Sequence, residues 1–197
     1  MTFHQQIRPH EIGFDLDGVI ADTAAAFIRI ACEQYNYCSF SLEDITSFEL
    51  EGCIDMPVDL VDSIFKGIIA DSLAAGLQPM QGAMDVLTDL SEHHPITIIT
   101  ARHLRQPVVD WLAKYFPRDV SRHFNLIATS DHDDKLRYIQ DRKLKYFVDD
   151  RAETCKMLAD GNITALVYSH PWNRNGHGLP VVNNWQEIRE LLLLDKL

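Results

Sequence analysis

From residue 82 onward the chain alternates between two hydrophobic rhythms. Apolar positions three and four apart at Ala83, Val86, Leu87 and Leu90 predict a helix over residues 82–92. Continuous apolar runs predict strands over 96–100, 124–129, 146–149 and 164–169. Helices are expected between them at 107–115, 133–141 and 152–159. A last one at 185–194 carries Trp185, Ile188, Leu191 and Leu192 on one face. A shorter apolar run at Ile12 and Phe14 predicts a first strand near the N-terminus. Strands that are apolar throughout and separated by helices predict a parallel sheet covered on both faces.

The stretch between the first strand and residue 78 has a different character. Ala24, Phe27, Ile28 and Ala31 repeat at helical spacing within 20–36. Ser41-Leu-Glu-Asp44 reads as a helix start, a hydroxyl cap with an acid three residues on. Pro57 opens another helix, with Val58, Val61, Ile64, Phe65, Ile68 and Ile69 on its apolar face. The expectation is an α/β protein, a Rossmann-like parallel sheet with helices on both faces. Residues 1–19 and 78–197 would form its core, and 20–77 a small helical insertion of the kind that acts as a lid.

At 197 residues there is room for one core domain with an insertion. A net charge of −11 argues against a surface for a nucleic-acid polymer, which needs clustered Lys and Arg. An anionic substrate would require local positive charge, from a metal or from a few placed basic residues. Residues 1–10 lack the apolar core of a signal peptide, and the run 191–194 is too short to span a bilayer. A cytoplasmic protein without a membrane partner is expected. The four cysteines (Cys32, Cys38, Cys53, Cys155) show no C-x-x-C pair and are expected to be reduced thiols. His93 and His94 are expected at the surface.

Ligands of open α/β sheets gather at the carboxyl ends of the strands, so the chemistry there is informative. Asp15 and Asp17 end the first strand and, two residues apart, face the same way. Thr100 ends the second strand, Asp149-Asp150 the fourth, and Lys135 opens the helix after the third. Carboxylates this close repel unless a cation sits between them or one keeps its proton. Singly, each residue has a plainer use: Asp15 in a turn, Lys135 solvated, Asp149-Asp150 capping the helix from Ala152. Capping, however, needs no acid at two neighbouring strand ends. Together these residues suit metal-dependent phosphoryl chemistry.

Phe14-Asp15-Leu16-Asp17-Gly18-Val19, Ile98-Ile99-Thr100-Ala101-Arg102, Lys135 and Phe147-Val148-Asp149-Asp150 resemble, in order, the four motifs of the haloacid dehalogenase (HAD) superfamily. The insertion after the first motif resembles that superfamily's helical cap. The resemblance implies that Asp15 is a nucleophile forming an aspartyl-phosphate, and that Asp17 protonates the leaving oxygen and then deprotonates water. It implies that Thr100, the backbone N–H of Ala101, and Lys135 hold the phosphoryl group, with Arg102 a further candidate for substrate binding. Mg²⁺ would be bound by Asp15, Asp149 and the backbone carbonyl of Asp17, with Asp150 acting directly or through water.

Three stretches resemble the 5'(3')-deoxyribonucleotidase-like group within that superfamily. They are Asp15-Leu-Asp17-Gly-Val-Ile-Ala-Asp22, the triplet Thr100-Ala101-Arg102, and Tyr168-Ser-His-Pro171-Trp172-Asn173-Arg174. In that group an aromatic residue follows the match to Asp22 and helps hold the base; this chain has Thr23. Tyr35, Tyr37, Phe40, Phe48, Phe65 and Trp172 are the other aromatics within reach of that task, most of them expected to pack the insertion. The resemblance implies a Mg²⁺-dependent hydrolase of a small phosphorylated substrate, a nucleotide or a sugar phosphate, acting as a monomer or homodimer. Two alternatives stand beside it. A phosphonatase needs a cap lysine for a Schiff base, and Lys66 is the only lysine of the insertion. A non-catalytic binding protein needs none of Asp15, Asp17, Thr100, Lys135 and Asp149.

Overall fold

The structure is a computed structural model and describes residues 5–50, 52–131, 134–174 and 176–194. Its sheet has six parallel strands in the order β3-β2-β1-β4-β5-β6. These are β1 (Ile12–Phe14), β2 (Ile96–Thr100), β3 (Phe124–Ala128), β4 (Tyr146–Asp149), β5 (Thr164–Tyr168) and β6 (Val181–Val182). The chain leaves β1 toward one edge through β2 and β3, then returns to β4 on the other side. The carboxyl ends of β1 and β4 therefore flank the point where the strand order reverses, where α/β sheets hold their ligands.

Alternation along the strands builds two cores. Phe14, Ile98, Val148 and Leu166 face one side, which α3 (Ala83–Ser91), α4 (Arg105–Tyr115) and α8 (Trp185–Leu191) cover with Val86, Leu87, Trp111, Trp185 and Ile188. Ile99, Phe147 and Val167 face the other, against Ile139 of α6 (Lys135–Asp141) and Cys155 and Leu158 of α7 (Ala152–Asp160). Burial on both faces is why these strands carry unbroken apolar runs. A short α5 (Arg118–Ser121) precedes β3.

The segment between β1 and β2 contributes α1 (Thr23–Tyr35) and α2 (Val58–Ala70), which pack together through Phe27 and Phe65, ring centroids 4.8 Å apart and nearly parallel. Its two connections to the sheet run side by side. Asp22 N–H donates to the Gln78 carbonyl and Met80 N–H to the Ile20 carbonyl, both at 2.8 Å. Two buried indoles pin the same crossings: Trp185 Nε1–H donates to Val19 and Trp111 Nε1–H to Leu77.

The expected elements are present, with departures that have local causes. The first helix begins at Thr23 rather than 20, because Gly18 to Ala21 form a closed turn and Asp22 caps α1 by accepting from Ala25 N–H at 3.0 Å. The Ser41 start yields one 3-10 turn, Leu42–Asp44. The last helix stops at Leu191, since the backbone beyond it pairs with Ile7. The expected start of α6 at 133 lies outside the described residues. Two-residue β6 is too short to leave a periodic signal.

The cysteine expectation is corrected: Cys32 and Cys38 form a disulfide, while Cys53 and Cys155 are free. Asn36, left-handed at the end of α1, turns the chain back and brings the two Cα atoms within 4.4 Å. Spacing six apart across a helix end conveys no such proximity by itself. Among the described residues no helix is long and apolar enough to cross a membrane.

Candidate active site

β1 delivers Asp15 and Asp17, and Gly18 lets the chain leave the sheet at once. Gly18 is left-handed (φ 69°), and a Cβ there would run into the Asp150 carboxyl. Asp15 is buried; its N–H donates to the Val148 carbonyl at 2.9 Å, and its Oδ1 accepts from Leu16 N–H at 2.7 Å. β4 delivers Asp149 and Asp150 beside it. Asp149 Oδ1 accepts from Arg151 N–H at 2.9 Å.

Lys135, the first residue of α6, is fully buried and completes this group. Its Nζ lies 2.8 Å from Asp15 Oδ2 and 2.7 Å from Asp149 Oδ2. Burial opposes the ammonium, but Asp149 and Asp15 outweigh it and hold Lys135 protonated beyond the ordinary lysine range. The carboxylates remain in excess. Burial pushes Asp15 up to about 7, with Asp149 and Asp17 adding to the rise and Lys135 opposing it. Burial, then Asp149 and Asp15, pushes Asp150 well above the usual carboxylate range.

Such a set fits a cation. Asp15, Asp149 and Asp150 each offer an oxygen, all within 4.8 Å of one another, and the donors are hard carboxylate oxygens suited to a hard divalent ion. The Asp17 side chain is not one of these three. Its carboxylate takes two hydrogen bonds from Arg102, Nε at 2.8 Å and Nη2 at 2.7 Å, and one from Thr23 Oγ1 at 2.5 Å. Burial raises the Asp17 carboxyl, but the guanidinium and the hydroxyl prevail and hold it below its ordinary range.

Thr100 is buried at the end of β2, and its Oγ1 accepts from Arg102 N–H at 3.2 Å. Ala101 lines the cavity over the carboxylates. On the sequence, Arg102 is a candidate for substrate binding. The structure gives its donors to Asp17 and, through Nη1 at 2.6 Å, to Ser72, just past the end of α2. It is 3 % exposed.

Sequence reasoning assigned no role to four members of this arrangement, two of them (His170 and Asn173) within the third resembling stretch. Thr23, noted only for not being aromatic, is a partner of Asp17. Ser72 carried no signal at all. His170 is buried, its Nε2 2.6 Å from the Gly18 carbonyl; a carbonyl only accepts, so Nε2 carries the proton. Asn173 binds the carbonyls of Asp150 and Tyr168 through one amide nitrogen, at 2.6 and 2.8 Å. The loop after β5 is thereby fastened to both acidic strand ends. Arg174, at its exit, makes a bidentate pair with Glu43 of the Leu42–Asp44 turn.

That cavity, about 410 Å³, opens over the carboxylates between the strand ends and α1 and α2. Its floor holds Asp15, Asp17, Thr100 and Asp150, and its far walls are built from Phe27, Phe65, Met56, Val61 and Trp172. Lys66 lies outside it, 76 % exposed and 3.5 Å from Asp62.

Comparison with known proteins agrees with this geometry. The chain is similar to a "Putative 5'(3')-deoxyribonucleotidase" of Staphylococcus epidermidis, 26 % identical over 183 residues, covering 90 % of this chain and 93 % of the relative. It is 24 % identical over 190 residues to a "Putative nucleotidase" of Bacillus cereus, covering 92 % and 97 % of the two chains. Among solved structures, a "Putative haloacid dehalogenase-like hydrolase" from Bacteroides fragilis shares the fold. Its TM-score is 0.59 at 15 % identity, and the match covers 93 % of this chain and all of the other. The family model described as "5' nucleotidase, deoxy (Pyrimidine), cytosolic type C protein" matches residues 8–197. With the HAD-like sheet and the acidic strand ends in place, the chain belongs to this family of HAD phosphatases.

Proposed function

We propose that this protein is a Mg²⁺-dependent 5'-nucleotidase that hydrolyses (deoxy)nucleoside monophosphates through an aspartyl-phosphate on Asp15, with residues 20–77 as its cap. The observation that carries the reading is the meeting of Asp15, Asp149 and Asp150 around one point, with the Lys135 ammonium on two of them. Asp15, Asp149, Asp150 and the Asp17 carbonyl would hold Mg²⁺, which when bound neutralises the facing carboxylates and the phosphoryl oxygens.

The chain's own groups then divide the work. Asp15 attacks phosphorus, and the leaving alkoxide departs on the opposite side. Lys135 keeps Asp15 aligned and neutralises charge on the transferring group. Thr100 Oγ1 and the Ala101 N–H receive phosphoryl oxygens.

Asp17 is the acid–base residue in this reading, and its partners bear on both halves of that task. Held by Arg102 and Thr23, it is ionised, the state suited to taking a proton from the water that attacks the aspartyl-phosphate. To protonate the leaving oxygen first, it must be released from Arg102 as substrate enters. Arg102 and Thr23 are thus positioning residues for Asp17.

Several observations weigh against the other chemistries. A Schiff-base phosphonatase has no lysine in the cavity wall from the cap, since Lys66 lies outside it. A binding protein would not bury an ammonium among carboxylates at this cost.

The test is phosphate release from a panel of nucleotides and sugar phosphates with Mg²⁺. Nucleoside monophosphates should be turned over, excess EDTA should silence the reaction, and Asp15→Asn should lower kcat by at least about a thousandfold with the fold intact by circular dichroism. Turnover by Asp15→Asn at the wild-type rate, or activity in EDTA, would refute it.

A further inference from the structure

The loop that follows β5 reaches the acidic strand ends at two points. Residues 169–174 pass through one 3-10 turn, Pro171–Asn173, and Ser169 N–H ties them to β6 by donating to the Val182 carbonyl at 2.8 Å. Asn173 is buried and uses both of its amide hydrogens. Its Oδ1 accepts from His170 N–H at 2.9 Å, and Nδ2 donates to the Tyr168 carbonyl at 2.8 Å; these two bonds close the turn on itself. The second hydrogen of Nδ2 crosses to the Asp150 carbonyl at 2.6 Å. His170 is also buried, its ring stacked on Trp172 with centroids 4.1 Å apart, and its Nε2–H crosses to the Gly18 carbonyl. Folding the turn requires neither of the crossing bonds.

What they fix is the gap between β1 and β4. The ladder joining these strands runs to Phe14 opposite Val148, with Asp15 N–H on the Val148 carbonyl. Asp17-Gly18 and Asp149-Asp150 lie beyond its last rung, where the carboxyl groups of Asp15, Asp149 and Asp150 converge and repel. Gly18 is held on both sides, its N–H on the Ala21 carbonyl at 2.9 Å and its carbonyl under His170. A trans peptide points its C=O opposite to its N–H. The first bond therefore aims the Asp17 carbonyl, and the second stops the Gly18 unit from turning. Asn173 holds the backbone of Asp150 in the same way, close enough to Gly18 that a Cβ there would meet the Asp150 carboxyl.

We propose that the loop after β5 is a clamp on the cation site, with His170 and Asn173 the positioning residues that set how tightly the site takes Mg²⁺. His170 acts through Gly18 on the neighbouring Asp17 carbonyl, and Asn173 acts through the Asp150 backbone on its carboxylate. Groups already held at their binding positions lose little freedom when the ion arrives. Partners of metal ligands typically carry about ten- to a hundredfold in affinity. The inference rests on the Mg²⁺ assignment within the nucleotidase reading and adds to it two residues that lie outside the four HAD motifs.

Calorimetric titration of EDTA-treated, dialysed protein with Mg²⁺ measures the affinity with no substrate present. Wild-type protein should bind the ion, and Asp149→Ala should abolish the heat, which places that ion at the strand ends. Asn173→Ala should raise the Mg²⁺ Kd by about tenfold or more, with an unchanged circular dichroism spectrum. His170→Phe, which keeps a ring on Trp172 and loses the N–H, should do the same, and His170→Gln, which restores a donor, should recover part of the loss. With two positions, one misfolded variant does not remove the test. A loop that is merely structural would lower the melting temperature in EDTA and leave Kd where it was. That result for Asn173→Ala and His170→Phe, or binding that survives Asp149→Ala, overturns the clamp and leaves the nucleotidase reading standing. Failure of the wild type to bind Mg²⁺ overturns both. Binding that responds as expected, without turnover of any nucleoside monophosphate, upholds the clamp and removes the nucleotidase.

Discussion

The floor of the cavity and its far wall are built on opposite principles. At the floor the functional groups are buried, Asp17 half-buried, and fixed by named partners: Lys135 by two carboxylates, Asp17 by Arg102 and Thr23, Asp149 by the backbone of Arg151. At the far wall Phe48, Glu49 and Asp62 are exposed, on a loop and on the solvent side of α2. The floor is over-determined because its chemistry needs fixed geometry. The wall needs only shape and a few polar groups, so side chains there can change without disturbing the reaction.

Breaking the floor should therefore be costly in both stability and rate. Lys135→Met leaves three carboxylates facing one another, and about 3–5 kcal/mol of stability should be lost in EDTA. Chemical denaturation would measure this, and Mg²⁺ should restore part of it. A melt unaffected by the change would mean that the ammonium is not the counter-ion it resembles.

Arg102→Met should lower kcat by about a hundredfold with little effect on KM, because Asp17 stays in place but loses its alignment. Steady-state kinetics separates this from weakened binding, which would raise KM instead.

Titration sharpens the contrast. The Asp15 carboxyl is raised from an ordinary 3.8 to about 7, so the native state binds that proton more tightly than the unfolded chain does. In EDTA, raising the pH from about 4 to about 7 should lower the melting temperature through this group, and Asp150, raised in the same direction, should add to the decline. Below that range the benefit is fully present. Asp15→Asn should flatten the slope, and Mg²⁺ should remove it by neutralising the ionised forms. A wild-type slope equal to that of Asp15→Asn would sink the assignment of the shift.

The smallest effect belongs to the rim. Arg174 and Glu43 form a bidentate pair between exposed side chains, and Arg174→Ala should leave the melting temperature unchanged within error. A clear drop would show that this link holds the cap onto the core.

Much of the sheet was legible because burial on both faces forces unbroken apolar runs, as in Ile96–Thr100 and Tyr146–Asp149. The short pieces were not: Val181–Val182 and Arg118–Ser121 are too brief for any period to register. At the site, residues at strand ends could be read because chain order and strand direction bring them to one edge. Asp15, Thr100, Lys135 and Asp149 were found in this way. Partners joined across loops could not. Nothing in the sequence relates Arg102 to Ser72, or His170 to Gly18, because those contacts depend on how the insertion and the loop after β5 settle on the sheet. The Cys32–Cys38 bond was missed for a similar reason, the reversal at Asn36 being a backbone event that spacing does not record.

Gly18 and Asp150 occupy, in effect, a single parcel of space. A methyl group on the first would displace the carboxyl of the second, and a bulkier acid at the second would crowd the turn that the first makes possible. While Asp150 is kept, position 18 has no room for any side chain, and its left-handed backbone is a second bar that a smaller residue at 150 would not lift.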